Sequence, residues 1–116
     1  MDSLQLATTY LQSDLQGRYI TNEDILPLIK LLNNRFKINI EGKSVLDKPI
    51  YSVRFGIGKI KVFAWSQMHG NESTTTKALF DFFNYLASNE TLAENWYTSF
   101  TFLSIPILNP DGAAAY

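Results

Sequence analysis

The sequence predicts an α/β fold built around a parallel strand–helix–strand unit. Two nearly continuous apolar runs, residues 59–65 and 100–108, are typical of strands that are buried on both faces, as in parallel sheets. Between the two runs, residues 73–88 carry apolar side chains at helical spacing, namely Ala78, Leu79, Phe82, Phe83 and Leu86. A crossover of this kind is right-handed in nearly all proteins, so we expect this helix to cover one face of the sheet.

Two helices are expected upstream of this unit. The first is predicted over residues 4–15, where apolar residues recur at helical spacing, and Gly17 would end it. The second begins near Thr21, because Asp24 follows it by three positions in the manner of a capping box. Pro27 is least costly in the first turn of a helix, which favours a start later than Thr21.

Two half-exposed strands are expected next. Residues 36–41 and 50–56 alternate apolar and polar side chains, and residues 41–44 form a predicted turn between them. The glycine-containing segment 56–58 is not a dinucleotide-binding fingerprint, because a strand follows it where that motif needs a helix. A further short helical piece is expected within residues 90–97.

Composition excludes several classes of function. The chain has the length of one domain, and a net charge of −1, with 10 basic and 11 acidic residues, indicates neither nucleic acid nor an anionic membrane as a partner. There is no cysteine, so disulfides and thiolate metal sites are excluded. No apolar run is as long as a membrane span, and the first residues do not resemble a signal peptide, which favours a cytoplasmic location.

The turn after the first buried strand contains two candidate metal ligands. His69 is the only histidine of the chain, and Glu72 follows it by three positions. Their side chains can point the same way if Glu72 lies in the first turn of the helix. An imidazole nitrogen and a carboxylate oxygen are two of the three protein ligands of a common catalytic zinc site. An isolated His-x-x-Glu is more often a solvated turn, so the pair needs support from its context.

That support comes from a second turn, Asn109-Pro110-Asp111-Gly112, which follows the other buried strand. Alone, this segment predicts an ordinary type I turn. Parallel strands end at the same edge of a sheet, and open α/β sheets bind their ligands at that edge. We therefore expect the Asn109 turn to lie beside the His69 turn.

The two motifs, in this order and on these elements, resemble the N-terminal half of the zinc carboxypeptidase family. Residues 68–72, Met-His-Gly-Asn-Glu, are similar to the family's His-x-x-Glu zinc pair. Residues 106–116 are similar to the family's strand that ends in Asn-Pro-Asp-Gly. The resemblance covers residues 19–116, the N-terminal part of a carboxypeptidase catalytic domain, and leaves residues 1–18 as an N-terminal helical extension.

The resemblance implies both a fold and a set of ligands. His69 and Glu72 would be zinc ligands, and residues 109–112 would form a structural turn that shapes the cleft. The implied architecture is a mixed-sheet zinc-exopeptidase fold, of which this chain would supply about four strands with helices on both faces. The first four strands of that fold lie in the order 1-2-4-3, with strand 2 antiparallel to the others.

The implied reaction is removal of the C-terminal residue of a peptide or protein. Zinc would polarise the scissile carbonyl and lower the pKa of its bound water, and a glutamate outside this chain would act as general base. A family site also needs a second histidine, and substrate-binding arginines that follow Asn-Pro-Asp-Gly. The sequence supplies none of these groups, so no catalytic residue is assigned within it. We expect an inactive fragment of an active zinc metallocarboxypeptidase.

Two other functions remain open. Zinc amidohydrolases related to aspartoacylase and succinylglutamate desuccinylase share a His-Gly-Asn-Glu zinc turn, although Asn-Pro-Asp-Gly followed by a tyrosine favours the carboxypeptidases. The further alternative is a non-catalytic binding module. It is less favoured, because such a module would have kept two motifs of a catalytic site that it no longer uses.

Self-association is also expected from the strand order of the family. Strand 59–65 would there pair with a strand built from downstream sequence. In this chain it is expected to be an open apolar edge, and such an edge can pair with another copy.

Overall fold

The computed structural model describes all residues 1–116 and contains five helices and one four-stranded sheet. None of the helices is long and apolar enough to cross a membrane. In chain order the elements are α1 (Ser3–Thr9), α2 (Asn22–Lys30), β1 (Phe36–Lys43), β2 (Pro49–Phe55), β3 (Ile60–Trp65), α3 (Thr74–Leu86), α4 (Thr91–Ser99), β4 (Phe100–Ile105) and α5 (Pro110–Ala114).

The sheet has the strand order β1-β2-β4-β3. Strand β2 is antiparallel to both β1 and β4, whereas β3 and β4 are parallel and pair from Ile60–Phe100 to Trp65–Ile105. The predicted α/β fold class and the implied strand order are confirmed. The segment that connects the two parallel strands forms helix α3, as expected, and then helix α4.

The core lies between one face of the sheet and the helices. From the sheet, β2 contributes Val53 and Phe55, which are almost completely buried. From the helix side, α3 contributes Phe80 and Phe83, whose rings pack edge to face at a centroid distance of 5.1 Å. Phe36 of β1 joins the two layers, because its ring lies 4.9 Å from Phe55 and 5.9 Å from Phe83. These rings hold α3 against the sheet and so place the N-terminus of α3.

The opposite face of β3 is not buried, although its apolar sequence predicted burial on both faces. Phe63 and Trp65 are 56% and 48% exposed, and their rings contact each other at 5.5 Å. These two side chains are exposed because β3 is the edge strand, paired only with β4, and because the core lies on the other face of the sheet. The expectation that this strand forms an open edge is confirmed.

The first helix is shorter than the sequence predicted. It ends at Thr9 and has no buried residue. The chain then turns and runs along α3, where the Gln12 N–H donates to Asp81 Oδ1 at 2.7 Å and Asn84 Nδ2 donates to the Tyr10 carbonyl at 3.0 Å. Leu15, which the periodicity assigned to the helix, is instead buried in the core. Tertiary contacts outweigh the local helical pattern in this segment.

Helix α2 starts where its capping box indicated and not later. Thr21 is the N-cap, and its backbone N–H donates to Asp24 Oδ2 at 2.8 Å. Pro27 lies beyond the first turn, so the expected shift of the helix start was wrong. Its missing N–H costs one helical hydrogen bond. Ile25 and Leu28 are buried on this helix, and their burial offsets that cost.

Candidate metal centre

The ends of β3 and β4 lie side by side, as predicted. Beyond the last ladder pair, the Ser66 N–H donates to the Ile105 carbonyl at 3.0 Å, and the Leu108 N–H donates to the Ser66 carbonyl at 2.9 Å. The Asn109 N–H continues the pattern with a 3.0 Å hydrogen bond to the Gln67 carbonyl. These bonds continue the pairing of β3 and β4 beyond the sheet and bring both motifs to the same edge.

The two turns touch through their backbones at Gly70. A Cβ placed on Gly70 would lie 2.0 Å from the Gly112 carbonyl carbon and 2.2 Å from the Ala113 nitrogen. No side chain fits at such distances, so this position of the His-Gly-Asn-Glu turn requires glycine. At Gly112 the obstacle is different, because a Cβ there would lie 2.5 Å from Nδ2 of Asn109 in the same turn.

Asn109 joins the turns through its side chain. Its Nδ2 donates to the Met68 carbonyl at 3.2 Å, and its Oδ1 accepts from the Gly112 N–H at 2.8 Å. The second of these bonds is an N-cap interaction, because Asn-Pro-Asp-Gly begins helix α5 with Pro110 in its first turn. The type I turn expected from the sequence is therefore the first turn of a short helix. Its structural role in shaping the cleft stays a prediction.

His69 and Glu72 line the wall of one open cavity of about 560 Å³. The Glu72 N–H donates to the His69 carbonyl at 3.0 Å, which closes the turn between them. Glu72 does not lie in the first turn of α3, contrary to the expectation, because that helix starts at Thr74 after the N-cap Ser73. The turn therefore brings the two residues together, and the helix is not needed for it.

The donor atoms of these two side chains fit zinc. Both residues are exposed, and neither side chain makes a hydrogen bond to the protein, so the imidazole nitrogens and carboxylate oxygens are free for a ligand. No third ligand accompanies them, since no group of three His, Cys, Asp or Glu residues could hold a metal. His69 is also the only histidine. The residues present fit two of the three protein ligands of a two-histidine, one-glutamate site.

A buried polar network lies beneath the turn, and sequence analysis missed it. Gln67 is 3% exposed and has a left-handed backbone with φ of 48°. The Thr76 hydroxyl, completely buried, lies 2.8 Å from Ser66 Oγ, 2.7 Å from Gln67 Oε1 and 2.9 Å from the Pro106 carbonyl. The available signal was Thr76 itself, because a threonine there interrupts the apolar face of α3 that continues with Leu79.

A segment of residues 17–20 also crosses the site and was not predicted to do so. Lys77 Nζ donates to the Gly17 carbonyl, and Ser73 Oγ donates to the Arg18 carbonyl. These bonds place Arg18 in the wall of the cavity that holds His69 and Glu72. The site therefore has a cation at its rim that comes from the N-terminal part of the chain.

Comparison with known proteins identifies the family. The family model described as zinc carboxypeptidase matches residues 28–116. The chain belongs to the zinc carboxypeptidase family. The match favours the carboxypeptidases over the amidohydrolases that share the His-Gly-Asn-Glu turn. No curated protein sequence matches the chain.

Solved structures show the same fold. The metallo-carboxypeptidase from Burkholderia cenocepacia aligns with a TM-score of 0.73 at 22% identity, over 82% of this chain and 28% of its own. Thrombin activatable fibrinolysis inhibitor aligns with a TM-score of 0.75 at 16% identity, over 97% of this chain and 33% of its own. Carboxypeptidase A from Helicoverpa armigera aligns with a TM-score of 0.68 at 18% identity, over 95% of this chain and 31% of its own. The chain thus spans about a third of these proteins or less.

Proposed function

We propose that this chain carries part of the active site of a zinc metallocarboxypeptidase, which hydrolyses the C-terminal peptide bond of a peptide or protein. The observation that carries the proposal is the His69–Glu72 pair, whose free donor atoms line one cavity at the carboxyl edge of a parallel strand pair. Membership of the zinc carboxypeptidase family supports the same chemistry.

His69 and Glu72 would hold the metal in this proposal. Zinc, when bound, supplies a Lewis acid for the scissile carbonyl and for the attacking water. The residues of this chain hold the ligands in place. Gly70 lets the His69 turn rest against α5, and Asn109 ties the two turns together through the Met68 carbonyl.

The remaining groups of the site would come from residues outside these 116. The third zinc ligand and the general base have no candidate here. The arginines that the family resemblance implies follow Asn-Pro-Asp-Gly, whereas Arg18 at the cavity rim precedes it. His69 is the only histidine, and no other carboxylate joins Glu72 in a ligand cluster. We therefore propose that the chain is inactive alone and contributes two of the three protein ligands of a metal centre.

Self-association through β3 is a second part of the proposal. The β3 edge has unpaired backbone groups, and its exposed face presents Phe63 and Trp65. Strand edges of this kind pair readily with other chains. Lys59 and Lys61 are the only charged side chains within residues 59–65, too few to keep another copy away. A second copy is therefore proposed to cover the β3 edge.

The activity is tested by mass spectrometry of an unstructured peptide incubated with zinc. We expect a protein that contains this sequence together with the missing ligand and base to release the C-terminal residue, and a chelator or His69→Ala to abolish release. Glu23→Gln, which removes an exposed carboxylate of α2 away from the site, is the matched control and should have no effect. Release that persists in His69→Ala would overturn the proposal, and release by residues 1–116 alone would overturn the claim that they are inactive.

A further inference from the structure

Gln67 is one of two side chains that make three hydrogen bonds beneath the candidate site, and Thr76 is the other. It precedes His69 by two residues, and its amide points into the protein. Its Nε2 donates to the Ile20 carbonyl at 2.8 Å and to the Gly70 carbonyl at 3.0 Å, while its Oε1 lies 2.7 Å from Thr76 Oγ1. A single side chain therefore connects segment 17–20, the His69 turn and helix α3.

We propose that Gln67 is the positioning residue for His69, acting through the backbone of the turn that presents the imidazole. The inference rests on the proposed role of His69 as a zinc ligand. Ligand-positioning groups of this kind hold the donor atom where the metal needs it.

The chemistry of the neighbours determines which way the amide points. The Ile20 and Gly70 carbonyls are acceptors only, so the end of the side chain that faces them must be the NH₂ group. The reversed amide would place Oε1 against two carbonyl oxygens. Both amide hydrogens are thus used, and Oε1 is left to accept from the Thr76 hydroxyl.

One backbone bond and one side-chain bond of Gln67 hold the main chain on the two sides of His69. Before it, the Gln67 carbonyl accepts from the Asn109 N–H. After it, the Gly70 carbonyl accepts from Gln67 Nε2, which closes a ring around Met68 and His69. The ring leaves the imidazole itself free of protein partners while it removes the freedom of the peptide groups that carry it.

The backbone of Gln67 gives independent support. Its φ of 48° lies in the left-handed region, which glycine adopts without strain and which a longer side chain adopts at a cost. If the turn only needed this conformation, glycine would serve better. A glutamine at such a position is explained by its side chain, whose bonds compensate for the strain.

Two substitutions separate positioning from folding. Gln67→Gly relieves the backbone and removes the side chain, so the fold should persist while the turn loses its support. Gln67→Glu keeps the shape and replaces the NH₂ group by an oxygen that faces two carbonyls. Gln16→Glu, at an exposed position, is the control for the added charge.

The readouts are the ¹⁵N order parameters of the His69 and Gly70 amides and the zinc-induced shifts of the His69 and Glu72 amides in the full chain. In the wild type we expect order parameters of about 0.85, falling below about 0.6 in Gln67→Gly. Zinc affinity should fall about 10- to 100-fold in Gln67→Gly and Gln67→Glu, and should not change in Gln16→Glu.

Other outcomes decide against the inference in distinguishable ways. A Gln67→Gly chain with a rigid turn and wild-type zinc shifts would overturn it, as would one that is globally unfolded, because Gln67 would then be a folding residue. A wild-type chain whose His69 and Glu72 amides ignore zinc would overturn the proposed metal role instead. The order parameters would still decide whether Gln67 holds the turn.

Discussion

Gly70 rests against the backbone of Gly112, so closely that a methyl group on Gly70 would lie 2.0 Å from the Gly112 carbonyl carbon. Gly70→Ala must therefore push the two turns apart. Overpacking of this kind costs about 1–3 kcal/mol, and the rigid backbone on the other side favours the upper end. Gly42→Ala is the matched control, because a Cβ there meets nothing within 4 Å. Urea denaturation of both variants is the measurement, and equal stability would contradict the close contact.

The buried Thr76 hydroxyl gives a second prediction. Thr76→Val preserves the shape of the side chain but removes the hydroxyl, whose single hydrogen serves Gln67 Oε1 or the Pro106 carbonyl, so one buried acceptor loses its donor. We expect a loss of about 1–3 kcal/mol in the free energy of unfolding. Thr75→Val, an exposed neighbour on the same helix with no side-chain hydrogen bond, should be nearly neutral. Similar losses in the two variants would show that helix propensity, and not the network, sets the effect.

A pH-dependent prediction concerns Arg35 and Glu94, which form a two-pronged ion pair with N···O distances of 2.5 and 2.8 Å. The hydrogen bond from Arg35 lowers the pKa of Glu94. A lowered pKa in the folded state stabilises the protein above the ordinary glutamate value of about 4.3, and this contribution is lost as pH falls through the folded pKa.

The stability difference between the wild type and Glu94→Gln should therefore shrink as the pH falls below about 4. The side chains of Arg35 and Glu94 are 34% and 52% exposed, so the difference should be small and should also shrink with added salt. Thermal unfolding at several pH values is the measurement, and a difference that is constant from neutral to acid pH would exclude a contribution from the ion pair.

Self-association is tested by sedimentation velocity over a range of concentrations. We expect the wild-type chain to form dimers or larger species, and Phe63→Lys to shift the distribution towards the monomer because a charge on β3 opposes pairing. Ile57→Lys, an exposed apolar position outside the strand, should behave as the wild type. A wild type that stays monomeric at high concentration would contradict the proposed coverage of β3 by a second copy.

Local sequence patterns predicted most of the helices and strands, but not what packs against each of them. The alternation of β1 and β2, the apolar stripe of α3 and the capping box at Thr21 each depend on neighbouring residues, and each of these elements forms. Strand β1, however, continues through the predicted turn to Lys43, and only its Phe36 is buried. The predicted burial of β3 and the predicted length of α1 depended on what packs against them. Phe63 is exposed because nothing covers it, and Leu15 left its predicted helix for the core.

The site was predictable to the same extent. His69 and Glu72 share a cavity because their spacing is local, and the Asn109 turn lies beside them because parallel strands end together. Gln67 and segment 17–20 join through hydrogen bonds between residues distant in sequence, such as the bond from Gln67 to Ile20. The spacing of apolar residues does not predict such a bond, so the role of Gln67 in holding the His69 turn is seen only in the structure.

Zinc binding by the chain alone should be weak in calorimetric titration, and detectable only at a high zinc concentration. Two protein ligands leave the rest of a tetrahedral shell to water, and the absent ligand takes its supporting hydrogen bonds with it. Tight one-to-one binding would mean that another group, such as one from a second copy, completes the shell.

The central claim, that His69 and Glu72 are the zinc ligands of this chain, is tested most directly by zinc X-ray absorption on a concentrated sample. The account predicts one imidazole per zinc in a shell of nitrogen and oxygen ligands at about 2.0–2.2 Å. The imidazole signal should disappear in His69→Ala, and Glu72→Gln should weaken binding. A zinc shell that is unchanged in His69→Ala would contradict the claim, and two imidazoles per zinc would show that the metal is shared between two copies.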